Sequence, residues 1–198
     1  AAAAQLETER SNVPVGLLER GMATWNFGLT GSEPHFFVYG DGESGKTTFL
    51  RTWLLGLTDR TTPAETSVVL VDYRRSLLGV VPESHLHAYA ASEPATRDVI
   101  AEIAEIAASR LPGADVTAAE LRTRSWWTGP ELYVVVDDYD LVVTPSGSPI
   151  GALLPLLAQG RDVGLLHHRD RIRHVKPAVT GKARHHRLAE AKDGGRAA

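Results

Sequence analysis

The sequence predicts an α/β protein in which a parallel sheet carries helices on both faces. Three observations lead there. The runs 35–39, 66–71 and 132–136 are apolar at successive positions rather than at every second one, which marks strands buried on both faces. Segments of helical period lie between them, and that alternation is how crossover connections cover a parallel sheet. The length of 198 residues, with 43% hydrophobic side chains, suits one domain with a true core and excludes a wholly disordered chain.

The elements follow in order. Residues 1–11, an alanine run and then a mixed-charge stretch, read as a linker or a frayed helix. Residues 13–17 are a short extended piece, and the alternation over 23–29 suits an edge strand. His35 to Tyr39 is a buried strand stopped by Gly40. From Lys46 the spacing turns helical, with Phe49, Leu50, Trp53 and Leu54 on one face. Residues 66–72 form a second buried strand. Asp98 to Arg110 is an amphipathic helix with Ile100, Ile103 and Ile106 facing inward, closed by Pro112 and Gly113. Residues 132–138 are a third strand that ends in two acids. Residues 150–158 have helical spacing around Pro155, and Val163 to Leu166 begin a fourth strand.

Composition excludes several chemistries. With no cysteine there is no disulfide scaffold, thiolate zinc site or cysteine nucleophile. No apolar run reaches the roughly 18 residues of a membrane span. The opening AAAAQLETER lacks the basic and apolar regions of a signal peptide, so a soluble protein of a reducing compartment is expected. Charge is uneven. Residues 1–164 hold 12 Lys and Arg against 21 Asp and Glu, a balance of −9. Residues 165–198 hold 9 against 3, a balance of +6, with five of the eight histidines.

One motif carries chemistry. Gly40-Asp41-Gly42-Glu43-Ser44-Gly45-Lys46-Thr47 fits G-x-x-x-x-G-K-[ST] without a mismatch. Its glycines let the backbone curl so that successive N–H groups face phosphate oxygens, and the helix that follows adds the positive end of its dipole. Lys46 reaches the β- and γ-phosphates, and the Thr47 hydroxyl can ligate Mg²⁺. A chance match in a chain of this size is on the order of one in a hundred at average glycine usage. Residues 40–48, Thr48 included, are therefore the expected cradle for a nucleotide's phosphates. Asp41 and Glu43 would repel phosphate if they faced inward, so their side chains are expected in solvent.

The strand ending in Asp137 and Asp138 has the Walker B pattern. Asp137 is the expected Mg²⁺ ligand with Thr47, and Asp138 the expected catalytic acid that orients or deprotonates water. Asp138 stands where many ATPases have Glu and is one methylene shorter, which leaves two readings open, a catalytic acid and one that falls short of the water. Asp72 also ends a strand; it can serve as a supporting acid, pair with Arg74 or Arg75, or cap the next turn. No arginine finger can be singled out. His35, His85 and His87 lack a ligand spacing with any nearby acid and read as structural or exposed. Trp126 and Trp127 suit packing better than a binding platform, by about two to one, since indole is favoured in cores as well as at interfaces.

These residues resemble one family. The stretch from Pro34 to Lys46, the block Val71-Asp72-Tyr73-Arg74-Arg75-Ser76-Leu77-Leu78-Gly79, and the run from Arg124 through Trp126, Trp127 and Asp137 to Val142 look like the EccC proteins. These are FtsK/SpoIIIE-like ATPases of type VII (ESX) secretion systems, and the blocks resemble the last ATPase domain of their tandem array. The resemblance covers residues 12–164. It implies a P-loop NTPase of RecA-like fold that binds ATP and Mg²⁺. It also implies work beside other ATPase domains in a ring-forming cytoplasmic motor of an inner-membrane complex that exports WXG100-type proteins. C-terminal domains of this family are often weakly active or inactive and are linked to docking of the export signal.

The resemblance stops near Leu165, where the chain turns basic without apolar period. On this reading residues 12–166 are the ATPase domain and 167–198 a disordered basic tail. The sheet is incomplete at its C-terminal end, with a gap between the P-loop strand and the Walker B strand. A frameshifted end and a genuine basic arm both account for this, and the coincidence of the break with a core element favours the first. Two other functions compete: an FtsK-type DNA translocase domain, and a non-functional fragment of the secretion ATPase. The acidic body argues against DNA, since like charge repels its phosphates.

Overall fold

The computed structural model describes residues 12–29, 34–145 and 147–172. An antiparallel hairpin of β1 (Val13–Leu17) and β2 (Thr24–Phe27) precedes the main sheet. The sheet comprises β3 (His35–Gly40), β4 (Thr66–Val71), β5 (Leu86–Ala90), β6 (Glu131–Val136) and β7 (Leu165–Ile172). Its order is β3-β7-β6-β4-β5 and all its pairs are parallel. The helices are α1 (Lys46–Arg60), α2 (Glu93–Ser109), α3 (Ala118–Thr123), α4 (Tyr139–Val142) and α5 (Leu154–Leu157), with one 3₁₀ turn at Gly151–Leu153. No helix among the described residues is long and apolar enough to cross a membrane.

Strand periodicity divides the core into two layers. Successive side chains of a strand point to opposite faces. Val68 and Leu70 of β4 and Tyr133 and Val135 of β6 therefore face one way and pack under Leu50, Trp53, Leu54 and Leu57 of α1. Val69 and Val71, with Leu132, Val134 and Val136, face the other way, against Val99, Ile100 and Ile103 of α2 and Leu153 and Leu156. The continuous apolar runs of β4 and β6 are thus explained, since every position of a twice-covered strand is interior, whereas β3, expected to be buried on both faces, is the edge strand and leaves Phe37 and Tyr39 exposed. The hairpin closes the α1 layer through Phe27, whose ring lies 4.2 Å from that of Phe36 and 6.0 Å from that of Trp53.

Three expectations change. The gap between the P-loop strand and the Walker B strand is filled by β7, which pairs with β3 from His35↔His167 to Gly40↔Ile172 and with β6 from Leu132↔Leu165 to Val136↔Arg169. The strand passes the expected domain boundary at 166 by six residues, because a backbone ladder needs no apolar side chains. Of the expected tail, 173–198 lies outside the described residues, as does 1–11. Finally, β5 and α3 add to the elements expected from the sequence, and the helix expected from Asp98 begins at Glu93, with Ser92 before it and Pro94 in its first turn.

Candidate functional site

The loop between β3 and α1 is shaped by its backbone. Gly45 precedes the helix at φ 88°, a left-handed conformation that a side chain would strain, and Glu43 also has positive φ, at 61°. Gly45 offers no side chain to cap the helix, so the first N–H groups of α1 are left for a ligand, with the positive helix end behind them. Asp41, Gly42, Glu43, Ser44 and Gly45 are exposed, as is Thr48; Gly40 is half-buried. The carboxylates of Asp41 and Glu43 thus sit in solvent-accessible positions, as their charge requires.

Lys46 is buried at 8% exposure and curls back over the loop. Its Nζ donates to the carbonyls of Asp41 at 2.8 Å and Gly40 at 3.3 Å. The ammonium is therefore held within the turn that phosphates would occupy, with its charge met only by neutral carbonyl oxygens among these contacts.

The two candidate metal ligands meet. Thr47 Oγ1 donates to Asp137 Oδ1 at 3.1 Å, with Oδ2 at 3.3 Å. Asp137 is 1% exposed and its N–H donates to the Val71 carbonyl at 2.9 Å, so the neighbouring strand fixes it. The donor set fits Mg²⁺. With metal–oxygen bonds of roughly 2.0–2.1 Å, adjacent oxygens of an octahedron lie about 2.9 Å apart, close to the observed spacing. The described residues hold no group of three or more His, Asp or Glu suited to a metal. Nucleotide-bound Mg²⁺ needs none, since phosphates and waters complete its shell.

Asp138 goes elsewhere. Its backbone is left-handed, φ 51° and ψ 57°, and its carboxylate pairs with the Arg74 guanidinium. Arg74 follows β4, which flanks β6 on the side away from β7 and β3. Nothing in the sequence points to this pair, 64 residues apart. Asp72 does not bind Arg74. Fully buried, it caps the next turn, accepting from Leu77 N at 2.7 Å and from the Tyr89 hydroxyl at 2.9 Å on the same oxygen. Burial, then the Asp72 hydrogen bond and charge, push the Tyr89 phenol up to about 12.

The other singled-out residues are structural. His35 Nε2 lies 2.7 Å from the Leu157 carbonyl, and His85 Nε2 lies 2.9 Å from that of Thr61. His87 pairs with Glu102 at 3.2 Å. Trp126 and Trp127 donate their indole N–H groups to the carbonyls of Arg110 and Asp162, each at 2.7 Å. The Arg110 guanidinium sits 4.3 Å from the Trp127 ring centroid and is itself largely desolvated, which lowers its pKa. The tryptophans thus tie the end of α2 to the approach of β7, which is packing.

A family model described as the FtsK/SpoIIIE family matches residues 1–107. The chain belongs to the FtsK/SpoIIIE family. Within it, the chain is 41% identical over 155 residues to the ESX secretion system protein EccC of Thermomonospora curvata, across 78% of this chain and 12% of that protein. It is 43% identical over 135 residues to the ESX-4 secretion system protein EccC4 of Mycobacterium tuberculosis, across 68% of this chain and 11% of that protein. The chain therefore spans about one-eighth of the length of these two relatives. Its fold also matches a solved structure, Thermomonospora curvata EccC (ATPases 2 and 3) in complex with a signal sequence peptide. The TM-score is 0.77 at 40% identity, covering 82% of this chain and 29% of that one. The architecture is that of a P-loop NTPase, as the resemblance implied.

Proposed function

We propose that this chain binds ATP with Mg²⁺ in the 40–48 loop and serves as one ATPase domain of a type VII secretion motor, hydrolysing slowly or not at all. The observation that carries the nucleotide reading is the approach of Thr47 Oγ1 to the buried Asp137 carboxylate, 90 residues away in sequence, at the mouth of a glycine-rich turn. Thr47 and Asp137 would hold the metal. When bound, Mg²⁺ neutralises phosphate charge and aligns the phosphate oxygens. Lys46 would exchange the Gly40 and Asp41 carbonyls for phosphate oxygens, and the uncapped N–H groups of α1 would bind the rest of that charge. Slow hydrolysis follows from Asp138, which is one methylene short and already engaged by Arg74.

Similarity to the EccC proteins supports a place beside other ATPase domains, in a ring-forming assembly on the cytoplasmic side of an inner-membrane export complex. It also supports a part in recognising or exporting WXG100-type substrates. The test is calorimetric titration with ATP and Mg²⁺ alongside steady-state hydrolysis by wild type and Asp138→Glu. The expected outcome is saturable binding, low turnover, and no loss of turnover in Asp138→Glu, since the longer acid keeps its charge and extends its reach. A wild-type turnover of several per second, lost in Asp138→Glu, would make Asp138 a competent base and refute the slow-hydrolysis reading.

A further inference from the structure

The turn after β4 touches both halves of the candidate site. It leaves the sheet at Asp72, whose buried carboxylate holds Leu77 N and Tyr89 and so fixes the turn's shape. Arg75 adopts a left-handed conformation, φ 59°, inside it. From this fixed turn two polar contacts reach outward. The Arg74 guanidinium takes the Asp138 carboxylate, and the Ser76 carbonyl accepts from the Arg51 guanidinium of α1. Arg51 lies one helical turn beyond Thr47, and Thr47 is bonded to Asp137. The contacts therefore close a loop: from Thr47 to Asp137, along the chain to Asp138, across to Arg74, through the turn to Ser76, and back by Arg51 to α1.

We propose that Arg74 is a positioning residue that holds Asp138 away from the hydrolytic water, and that the turn carrying it links this restraint to the nucleotide-bearing helix through Arg51. The proposal rests on the nucleotide reading given above. Three features support it. Asp138 is mostly buried, at 18% side-chain exposure, so its orientation is set by protein contacts rather than by solvent. Its left-handed backbone is uncommon for a residue with a side chain and directs the carboxylate out of the strand's regular alternation. Arg74 is 61% exposed, so it can let go of Asp138 without opening the core. The guanidinium fixes one oxygen of the carboxylate, so the group cannot turn toward a water elsewhere until that contact is released.

The experiment compares wild type, Arg74→Gln, Arg74→Lys, Arg51→Gln and the double variant Arg74→Gln with Asp138→Asn. For each, the ATP dissociation constant and the turnover number are measured on the full chain. Arg74→Gln is expected to raise turnover by roughly tenfold, a small part of what a well-placed general base contributes, while the dissociation constant stays within about twofold. Arg74→Lys, which keeps the charge and loses the planar fork, should give a smaller gain, and Arg51→Gln a smaller one again. The double variant should return to the wild-type rate, because the gain acts through Asp138. This split separates a positioning role from a structural one, which would alter binding and turnover together. If Arg74→Gln melts well below wild type, Arg74→Lys is read by the same criteria. Normal binding with unchanged or lower turnover in the Arg74 variants overturns the positioning role alone. A gain that survives Asp138→Asn overturns it too. Absence of ATP binding by the wild type overturns the nucleotide reading and this inference with it.

Discussion

Replacing Lys46 by Ala removes the one cation that the loop itself supplies. In the structure its Nζ is held by two carbonyl oxygens at 2.8 and 3.3 Å, which place it at the turn. Those carbonyls belong to Asp41, which is exposed, and Gly40, which is half-buried, so water can replace the ammonium at little cost. The folded state should therefore lose less than about 1 kcal/mol. Against phosphate the loss is larger, because a charge-assisted hydrogen bond contributes about 1.5–3 kcal/mol, which is about ten- to a hundredfold in affinity. Thermal melts with and without ligand separate the two effects. At ligand one hundred times the wild-type dissociation constant, wild type gains about 2.7 kcal/mol, whereas a variant bound thirtyfold more weakly gains about 0.9. At about 2–4 °C per kcal/mol for a domain of this size, the ligand-induced shifts should be about 5–11 °C and about 2–4 °C. Calorimetry gives the same ratio directly. Equal shifts and equal affinities in the two proteins would show that Lys46 does not meet the ligand, and the cradle assignment would fall.

Three further outcomes are expected. Tyr89→Phe leaves the buried Asp72 carboxylate with Leu77 N as its remaining named donor, because Asp72 Oδ1 has no hydrogen-bond partner; the cost should be about 1.5–3 kcal/mol, read as a drop in melting temperature. Because the Tyr89 phenol is raised to about 12 from 10, its contribution is complete below pH 10 and is lost as pH rises through 12, so the alkaline fall of stability between those values should be smaller in the variant than in wild type, the buried Tyr133 phenol, also raised, supplying part of what remains. Gly164→Ala puts a methyl group 2.5 Å from Trp127 Cη2 at a backbone φ of 64°, and strain plus overpacking should cost roughly 2–5 kcal/mol; a melt within a degree or two of wild type would contradict the packing described for Trp127. Ending the chain after Leu166 removes every β7 partner of β3 and should yield unfolded or insoluble protein, which circular dichroism and sedimentation would detect. A soluble variant with the wild-type melt would contradict the central place of β7.

Much of this could be read from the sequence because each signal was local. The apolar runs became β3, β4 and β6, of which β4 and β6 are buried on both faces and β3 is a half-exposed edge, and the glycine-rich motif sits between the strand and helix it requires. The capping box of α3 is legible as well, in Thr117 and Glu120, where Glu120 N donates to Thr117 Oγ1 at 3.3 Å and Thr117 N to Glu120 Oε2 at 2.8 Å, but the helix it starts is only six residues long and shows little period. β5 gave less to find, since an edge strand of five residues carries little periodicity. The continuation of β7 was illegible for a physical reason. His167, His168, Arg169, Asp170 and Arg171 have none of the apolar character expected at the centre of a parallel sheet, and strand pairing is made by backbone groups that composition does not reveal.

The two acids at the end of β6 show where local reading stops. As adjacent residues they look interchangeable in sequence, yet a strand sends neighbours to opposite sides, so one carboxylate at most can face the α1 terminus from a regular strand. Asp137 takes that place: its N–H is still bonded to Val71, and its carboxylate meets Thr47. Asp138 is the first residue beyond the ladder, and its left-handed turn into α4 swings it toward the turn after β4. What it does is then decided by which cation waits there. That cation, Arg74, is placed by a buried carboxylate, Asp72, whose own hydrogen bonds go to a backbone amide and a phenol rather than to either neighbouring arginine. The behaviour of the second Walker B acid therefore depends on three residues of another strand–turn unit, and only the folded sheet brings that unit beside it.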